Sequence, residues 1–94
     1  MKVNLAEQQL NSIIDSCGGI DEIPDPYAYY FQSYLRAGEY ELAAHMLLDA
    51  FIDEWVSFDV TRVRELIKSY NLKTSDQEGL DLAFEYADEN EAKK

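Results

Sequence analysis

The chain has 94 residues, which is enough for one folded domain but too few for two. Apolar residues make up 47% of it, so the low-hydrophobicity composition of a disordered chain is excluded. Eight Lys and Arg stand against 19 Asp and Glu, giving a net charge of -11. Such a surface repels the phosphates of nucleic acids and of anionic lipids. We therefore expect no direct nucleic-acid or membrane partner, and a basic protein is the favoured one.

The sequence also indicates in which cellular compartment the protein is expected. It contains no apolar run long enough to span a bilayer and no N-terminal apolar stretch typical of a signal peptide. Cys17 is the single cysteine, which excludes an internal disulfide and a zinc site built from several cysteines. We expect a soluble, cytoplasmic protein.

The spacing of apolar residues predicts helices joined by short turns. A first helix begins after Asn4, whose side chain can accept from a free N–H group of the opening turn, and ends at Gly18. Asp25 followed by Pro26 predicts the start of a second helix with Asp25 as its N-cap, and Gly38 predicts its end. The buried faces predicted for these two helices comprise Ala6, Leu10, Ile13, Ile14 and Cys17, then Tyr27, Tyr30, Phe31, Tyr34 and Leu35.

A third helix is predicted from about Glu39 to about Trp55, with apolar residues round most of its surface. A helix this apolar is expected to be central in the fold. Its main apolar face comprises Tyr40, Ala43, Ala44, Leu47, Ala50 and Phe51. Its polar residues form a narrow seam at intervals of four, namely Glu41, His45, Asp49 and Asp53.

Two more helices follow. Ser57 or Asp59 can cap the fourth, and Asn71 can adopt the left-handed conformation that ends it. Ser75 with Glu78 forms a capping box for the fifth, whose charged tail, residues 88–94, is expected to fray. The fourth helix carries Val60, Val63, Leu66, Ile67 and Tyr70, and the fifth is expected to bury Leu80, Ala83, Phe84 and Ala87. The predicted fold is all-α, a compact bundle of four to five short helices in a single domain.

No group of residues predicts catalysis. His45 shares a helix face with Glu41 and Asp49, but one helix supplies too few fixed ligands for a metal, and such a seam usually faces water. Cys17 lies on an apolar stripe with no base near it in sequence, which favours packing over nucleophilic chemistry. The acids from Asp21 to Asp25 lack the glycine and terminal glutamate of a calcium loop. We expect no metal, no cofactor and no enzymatic activity.

The acidic residues gather around the second and third helices, with the rings of Tyr27, Tyr29 and Trp55 at their edge. One interpretation is solubility, because a charge far from zero keeps small domains dispersed. The other is recognition, in which carboxylates steer a basic partner and aromatic rings anchor it. The candidate binding residues are Asp21, Glu22, Asp25, Tyr29, Glu41, Asp49, Asp53 and Glu54.

A family resemblance covers roughly the middle half of the chain. The segment from Tyr34 to Ala43, YLRAGEYELA, is followed by Leu47-Leu48 and by Asp53-Glu54. This pattern resembles that of small bacterial toxin-immunity proteins of the MafI type, related in role to the CdiI-like proteins of contact-dependent growth inhibition. The similarity extends loosely through Val63, Leu66, Ile67, Tyr70, Asn71 and Leu72.

The resemblance implies a protein that binds a cognate toxin domain, often a nuclease, and shields the producing cell from it. Our leading hypothesis is a non-enzymatic immunity protein, a monomer that forms a one-to-one complex with a basic toxin domain. The alternative is a small helical adaptor or secretion-chaperone-like module that binds a peptide, which requires a contiguous exposed apolar patch. An enzyme that uses the His45 seam is a distant third.

Overall fold

The architecture consists of helices joined by short links. The computed structural model describes residues 4–92 and has no strand within them. Its helices are α1 (Leu5–Ser16), α2 (Tyr27–Arg36), α3 (Tyr40–Glu54), α4 (Val60–Tyr70) and α5 (Gln77–Ala92), with a 3-10 helix at Ile20–Glu22. The radius of gyration, 12.5 Å, is that of one compact domain of this length. The predicted all-α bundle is confirmed.

Helix α3 is the centre of the bundle, as its apolar composition predicts. It contacts α1, α2 and α5, while α4 packs against α1 and α5. Ala43 and Ala44 are fully buried, and their small side chains let neighbouring helices approach closely. Helices α2 and α3 form an antiparallel hairpin, because the link between them is short and turns at Gly38, whose φ of 76° favours glycine. The start of α2 therefore lies beside the end of α3.

A cluster of phenylalanines holds the end of α3 in place. Phe51 of α3 stacks on Phe58 of the α3–α4 link with ring centroids 4.2 Å apart. Phe58 also meets Phe84 of α5 edge to face, at 5.6 Å. Full burial of one such ring stabilises the fold by about 1.5–3 kcal/mol. The link after α3 is thus anchored in the core rather than free on the surface.

Several predicted helix ends are confirmed. Asn4 Oδ1 accepts a hydrogen bond from Glu7 N at 3.0 Å at the start of α1. Asp59 Oδ1 accepts from Arg62 N at 3.1 Å at the start of α4. Asn71 ends α4 in the left-handed conformation, with a φ of 52°. These residues satisfy backbone groups that a helix end leaves without an intrahelical partner.

Two predicted N-caps are wrong. Pro26 itself occupies the N-cap position of α2, so Asp25 lies one residue too early to cap the helix. At the start of α5, Asp76 rather than Ser75 is the capping residue, because Asp76 Oδ1 accepts from Gly79 N at 2.9 Å. A carboxylate at that position is also stabilised by the positive end of the helix dipole.

The prediction that Tyr30 belongs to the buried face of α2 is also wrong. Tyr30 is 46% exposed, whereas Ala28 and Phe31 are buried and Tyr34 is partly buried. One residue corresponds to about 100° of helix rotation, so Tyr30 lies to the side of the stripe centred on Phe31. In α5 the predicted core residues are buried, and the helix continues to Ala92. The last part of the predicted tail, residues 93–94, lies outside the described residues.

Candidate functional site

A tyrosine at the start of α2 lies against the carboxylates at the end of α3. Tyr27 Oη donates a hydrogen bond to Asp53 Oδ2 at 2.5 Å. This bond, burial and the charges of Asp53, Glu54 and Asp49 raise the pKa of Tyr27 to about 12. The four side chains are therefore close enough to act on one another. We call Tyr27, Asp49, Asp53 and Glu54 the acidic end.

The acidic end lies where a helix stabilises negative charge least. The last turn of α3 contains Asp53 and Glu54 but no basic residue. The carbonyl groups at a helix C-terminus carry roughly -0.5 of a charge, so each exposed carboxylate there is disfavoured by about 0.3–1 kcal/mol. Burial and the charge of Asp53 raise the pKa of Asp49, while nearby His45 lowers it. The free protein thus maintains a cluster of like charges against the local field.

No cation of the described chain neutralises these carboxylates in an ion pair. Among the side chains of residues 4–89, the ion pair within 4 Å joins Arg62 to Asp59 of α4, at 3.5 Å. Asp53 and Glu54 are exposed, so a cation from outside the chain can reach them. Such a cation would relieve both the mutual repulsion and the unfavourable interaction with the helix dipole.

Exposed aromatic and aliphatic side chains border the acidic end. Trp55 follows Glu54 directly and adopts a left-handed conformation with a φ of 52°. Its ring meets Tyr86 of α5 edge to face, with centroids 5.3 Å apart. Trp55 and Tyr86 are 45% and 37% exposed, and Leu82, one helical turn before Tyr86, is 45% exposed. We call Trp55, Leu82 and Tyr86 the aromatic edge; Trp and Tyr are the aromatic residues most common among side chains that anchor protein interfaces.

The predicted site residues divide between the two ends of α3. Asp49, Asp53 and Glu54 are brought together, and Asp25 lies at the same end because it precedes α2 by two residues. Glu41 lies in the first turn of α3. With a rise of 1.5 Å per residue, it is separated from Asp53 by about 18 Å along the helix. Glu41 is therefore not part of the acidic end.

The remaining acids lie in the link between α1 and α2. Asp21 and Glu22 belong to the 3-10 helix and are both exposed. The side chain of Glu22 lies over the turn at Gly18, where an added Cβ would be 3.0 Å from Glu22 Cγ. Among the described side chains, no ion pair within 4 Å joins either residue to the acidic end.

Tyr27 is the aromatic side chain that contacts the carboxylates of the acidic end, and the predicted binding residue Tyr29 lies on another side of α2. Tyr29 is 64% exposed and meets Tyr30 edge to face at 5.4 Å. It lies about half a turn round α2 from Tyr27, so its ring points away from Asp53. In the sequence, the position of Tyr27 is indicated by its spacing of four residues from Phe31, which places both side chains on one face of α2. No sequence signal indicates Tyr86, because its role depends on which face of α5 meets Trp55.

The structure also bears on the groups considered for metal binding and for nucleophilic chemistry. Within residues 4–92, no group of three or more His, Cys, Asp or Glu side chains is arranged to hold a metal ion. Cys17 is 8% exposed, which confirms its predicted packing position. Burial raises the pKa of its thiol to about 11, against a smaller opposite effect of the hydrogen bond with Ser16. Because the thiolate is the nucleophile, the raised pKa and the burial of Cys17 disfavour nucleophilic chemistry at this residue.

Comparison of the chain with protein-family models, with curated proteins and with solved structures gives no match. In the described part of the chain, no helix combines the length and the apolar character that crossing a membrane requires.

Proposed function

We propose that this protein is a non-enzymatic immunity protein that binds and neutralises a basic bacterial toxin domain. A nuclease is the favoured kind of toxin, and the complex is one-to-one and cytoplasmic. The observation that supports this proposal most is the group of Asp49, Asp53 and Glu54 at the negative end of α3, with no ion-pair partner among the described side chains. Exposed rings lie directly beside it.

Electrostatics supports a nuclease as the partner. A nuclease cleft is basic because it binds phosphate, and carboxylates can occupy the positions that phosphates would take. The net charge of -11 steers such a partner over a long range, and a cluster of acids fixes where it docks. Association is then expected to slow as salt screens the charges.

The aromatic edge supplies the short-range part of binding. Trp55 and Tyr86 already contact each other, so little side-chain freedom is lost when a partner covers them. The aliphatic stem of a Lys or Arg can lie on these rings while its charged head reaches Glu54 or Asp53. Truncation of central aromatic anchors commonly weakens an interface by about 2 kcal/mol or more.

The test is protection against the toxin. The coding region upstream of this protein should encode a large secreted protein with a variable C-terminal domain, and that domain is co-expressed with the immunity protein. We expect growth with the wild-type protein and loss of growth with the triple variant D49N/D53N/E54Q. The control variant E7Q/D15N/E65Q removes the same number of charges from exposed positions on α1 and α4 and should still protect.

Two results would contradict the proposal. One is continued killing by the toxin domain while the wild-type protein is folded and soluble. The other is equal loss of protection in the triple variant and in its control, which would mean that net charge rather than the acidic end is recognised. Circular dichroism and denaturant unfolding of both variants establish that they are folded.

A further inference from the structure

A second surface, a groove between α4 and α5, has its own chemistry. Its volume is about 390 Å³, and its floor includes Leu72, Leu80 and Phe84. Asp81, Glu85 and Asp88 of α5 form one side. Tyr86 follows Glu85 by one residue and so lies about 100° further round the helix. The groove and the aromatic edge are thus on different flanks of α5.

The acidic side of this groove has no ion-pair partner among the described side chains. Asp81, Glu85 and Asp88 are spaced by four and three residues, which aligns them on one face of α5. Among the side chains of residues 4–89, none of the three forms an ion pair within 4 Å. Asp81 Oδ1 accepts a hydrogen bond from the neutral side chain of Gln77, at 3.0 Å.

On the opposite side of the groove, the side chain of Arg64 provides one cation. The guanidinium carbon of Arg64, from α4, lies 4.8 Å from the centroid of the Phe84 ring. This is the distance of a cation–π contact. One arginine faces three carboxylates, so the groove keeps a net negative charge and still favours a further cation.

We propose that the α4–α5 groove docks a segment of a partner protein in which an aliphatic side chain is next to a Lys or Arg. The aliphatic side chain would contact the small parts of Leu72, Leu80 and Phe84 that stay open in the groove, since these residues are 7%, 4% and 9% exposed, and the cation would meet the carboxylates of α5. Charge selects this occupant: a second copy of the chain would bring another net charge of -11, and a phosphate ligand would be repelled. The proposal concerns a different surface from the immunity interface and does not depend on it.

Arg64 is expected to compete with such a segment. Its guanidinium occupies the face of Phe84 and lies in the field of the same carboxylates. A bound cation must share or displace it. Replacement of Arg64 by glutamine should therefore strengthen binding, although the substitution removes a contact from the free protein.

The experiment uses the full chain and three capped tetrapeptides. Leu-Lys-Leu-Lys has both features of the occupant, Leu-Glu-Leu-Glu reverses its charge, and Gly-Lys-Gly-Lys lacks the aliphatic side chains. Each is titrated by NMR, following the backbone amides of Leu72, Leu80 and Phe84. We expect Leu-Lys-Leu-Lys to shift these signals and to bind about tenfold or more tightly than either control peptide.

Variants test the two parts of the groove. D81N/E85Q should weaken Leu-Lys-Leu-Lys binding about fivefold, whereas E7Q/D15N, which removes two exposed charges from α1, should leave it unchanged. R64Q should tighten it. The proposal is overturned if the three peptides bind equally, if the shifts centre on Trp55 and Tyr86, if E7Q/D15N weakens binding as much as D81N/E85Q, or if R64Q lowers the affinity.

Discussion

The two ends of α3 use similar residues in opposite ways. At its start, Glu41 lies in the first turn, where the positive end of the helix dipole stabilises it. Beside it, Tyr40 Oη accepts a hydrogen bond from Asn4 Nδ2 at 2.5 Å, so the tyrosine is engaged within the chain. At its end, Asp53 and Glu54 lie at the negative end of the dipole without an ion pair in the described part of the chain. A carboxylate is thus stabilised by the dipole at one end of α3 and lacks an ion pair in the described part of the chain at the other, while a tyrosine is hydrogen-bonded within the chain at both ends.

The largest change in the free energy of unfolding is expected from a substitution in the core that holds the acidic end in place. Phe58→Ala removes the stack on Phe51 and the contact with Phe84, and should lower the free energy of unfolding by about 3–5 kcal/mol. Urea unfolding measures the loss. Leu42→Ala, at the exposed start of α3, is the control and should change stability by less than about 0.5 kcal/mol. Equal losses of unfolding free energy in the two variants would mean that the Phe58 contacts do not anchor the end of α3.

The same charge reversal should have opposite signs at the two ends. Glu54→Lys removes a repelling carboxylate and places a cation at the negative end of the dipole, so it should raise the free energy of unfolding by about 0.3–1 kcal/mol. Glu41→Lys should lower it by a similar amount. Both are measured by denaturant unfolding at low salt, where screening is weak. If both substitutions changed the free energy of unfolding in the same direction, the helix dipole would not be what distinguishes the two ends of α3.

A smaller effect is expected at Asp49 and depends on pH. Burial and the charge of Asp53 raise its pKa from the ordinary 3.8, so the folded protein binds the proton more tightly than the unfolded chain. The ionised carboxylate therefore lowers stability above the raised pKa, and this penalty disappears below pH 3.8. Asp49→Asn should be the more stable protein at pH 7 by less than about 1 kcal/mol. Acid unfolding series check this, and an advantage that stays constant as pH falls would contradict it.

The last effect concerns the phenol of Tyr27 and is confined to alkaline pH. Because the pKa of Tyr27 is raised from 10.0 to about 12, the folded protein retains a proton that the unfolded chain loses, and stability falls between these two values. Ultraviolet absorbance should show one tyrosine that titrates near pH 12 and that is missing in Tyr27→Phe. Asp53→Asn should lower the pKa of that tyrosine. A pKa of Tyr27 near 10 would mean that the hydrogen bond to Asp53 is absent.

The sequence predicts the helices well because caps and apolar spacing are local signals. The third helix, expected from about Glu39 to about Trp55, is observed at Tyr40–Glu54. Ser75 and Asp76 can both cap α5, and the choice between them depends on where the first turn of the helix forms. In the structure Asp76 is the cap. Element boundaries are therefore predicted less accurately than the elements themselves.

The site is predicted only in part, because spacing on one helix defines a face but not a neighbour. The interval of four places Asp49 and Asp53 together, yet the same interval includes Glu41, about 18 Å away along α3. The contact of Trp55 with Tyr86 depends on how α5 packs against α3, which no local pattern encodes. Tertiary packing therefore decides which acids and rings form one surface.

We propose that α3 keeps its acidic end for binding, at the expense of stability. The most direct test measures both quantities in D49N/D53N/E54Q: affinity for the purified toxin domain by calorimetry, and the denaturant midpoint of the free protein. We expect the affinity to fall about a hundredfold or more while the midpoint does not decrease. Unchanged affinity, or a midpoint well below that of the wild type, would contradict the claim.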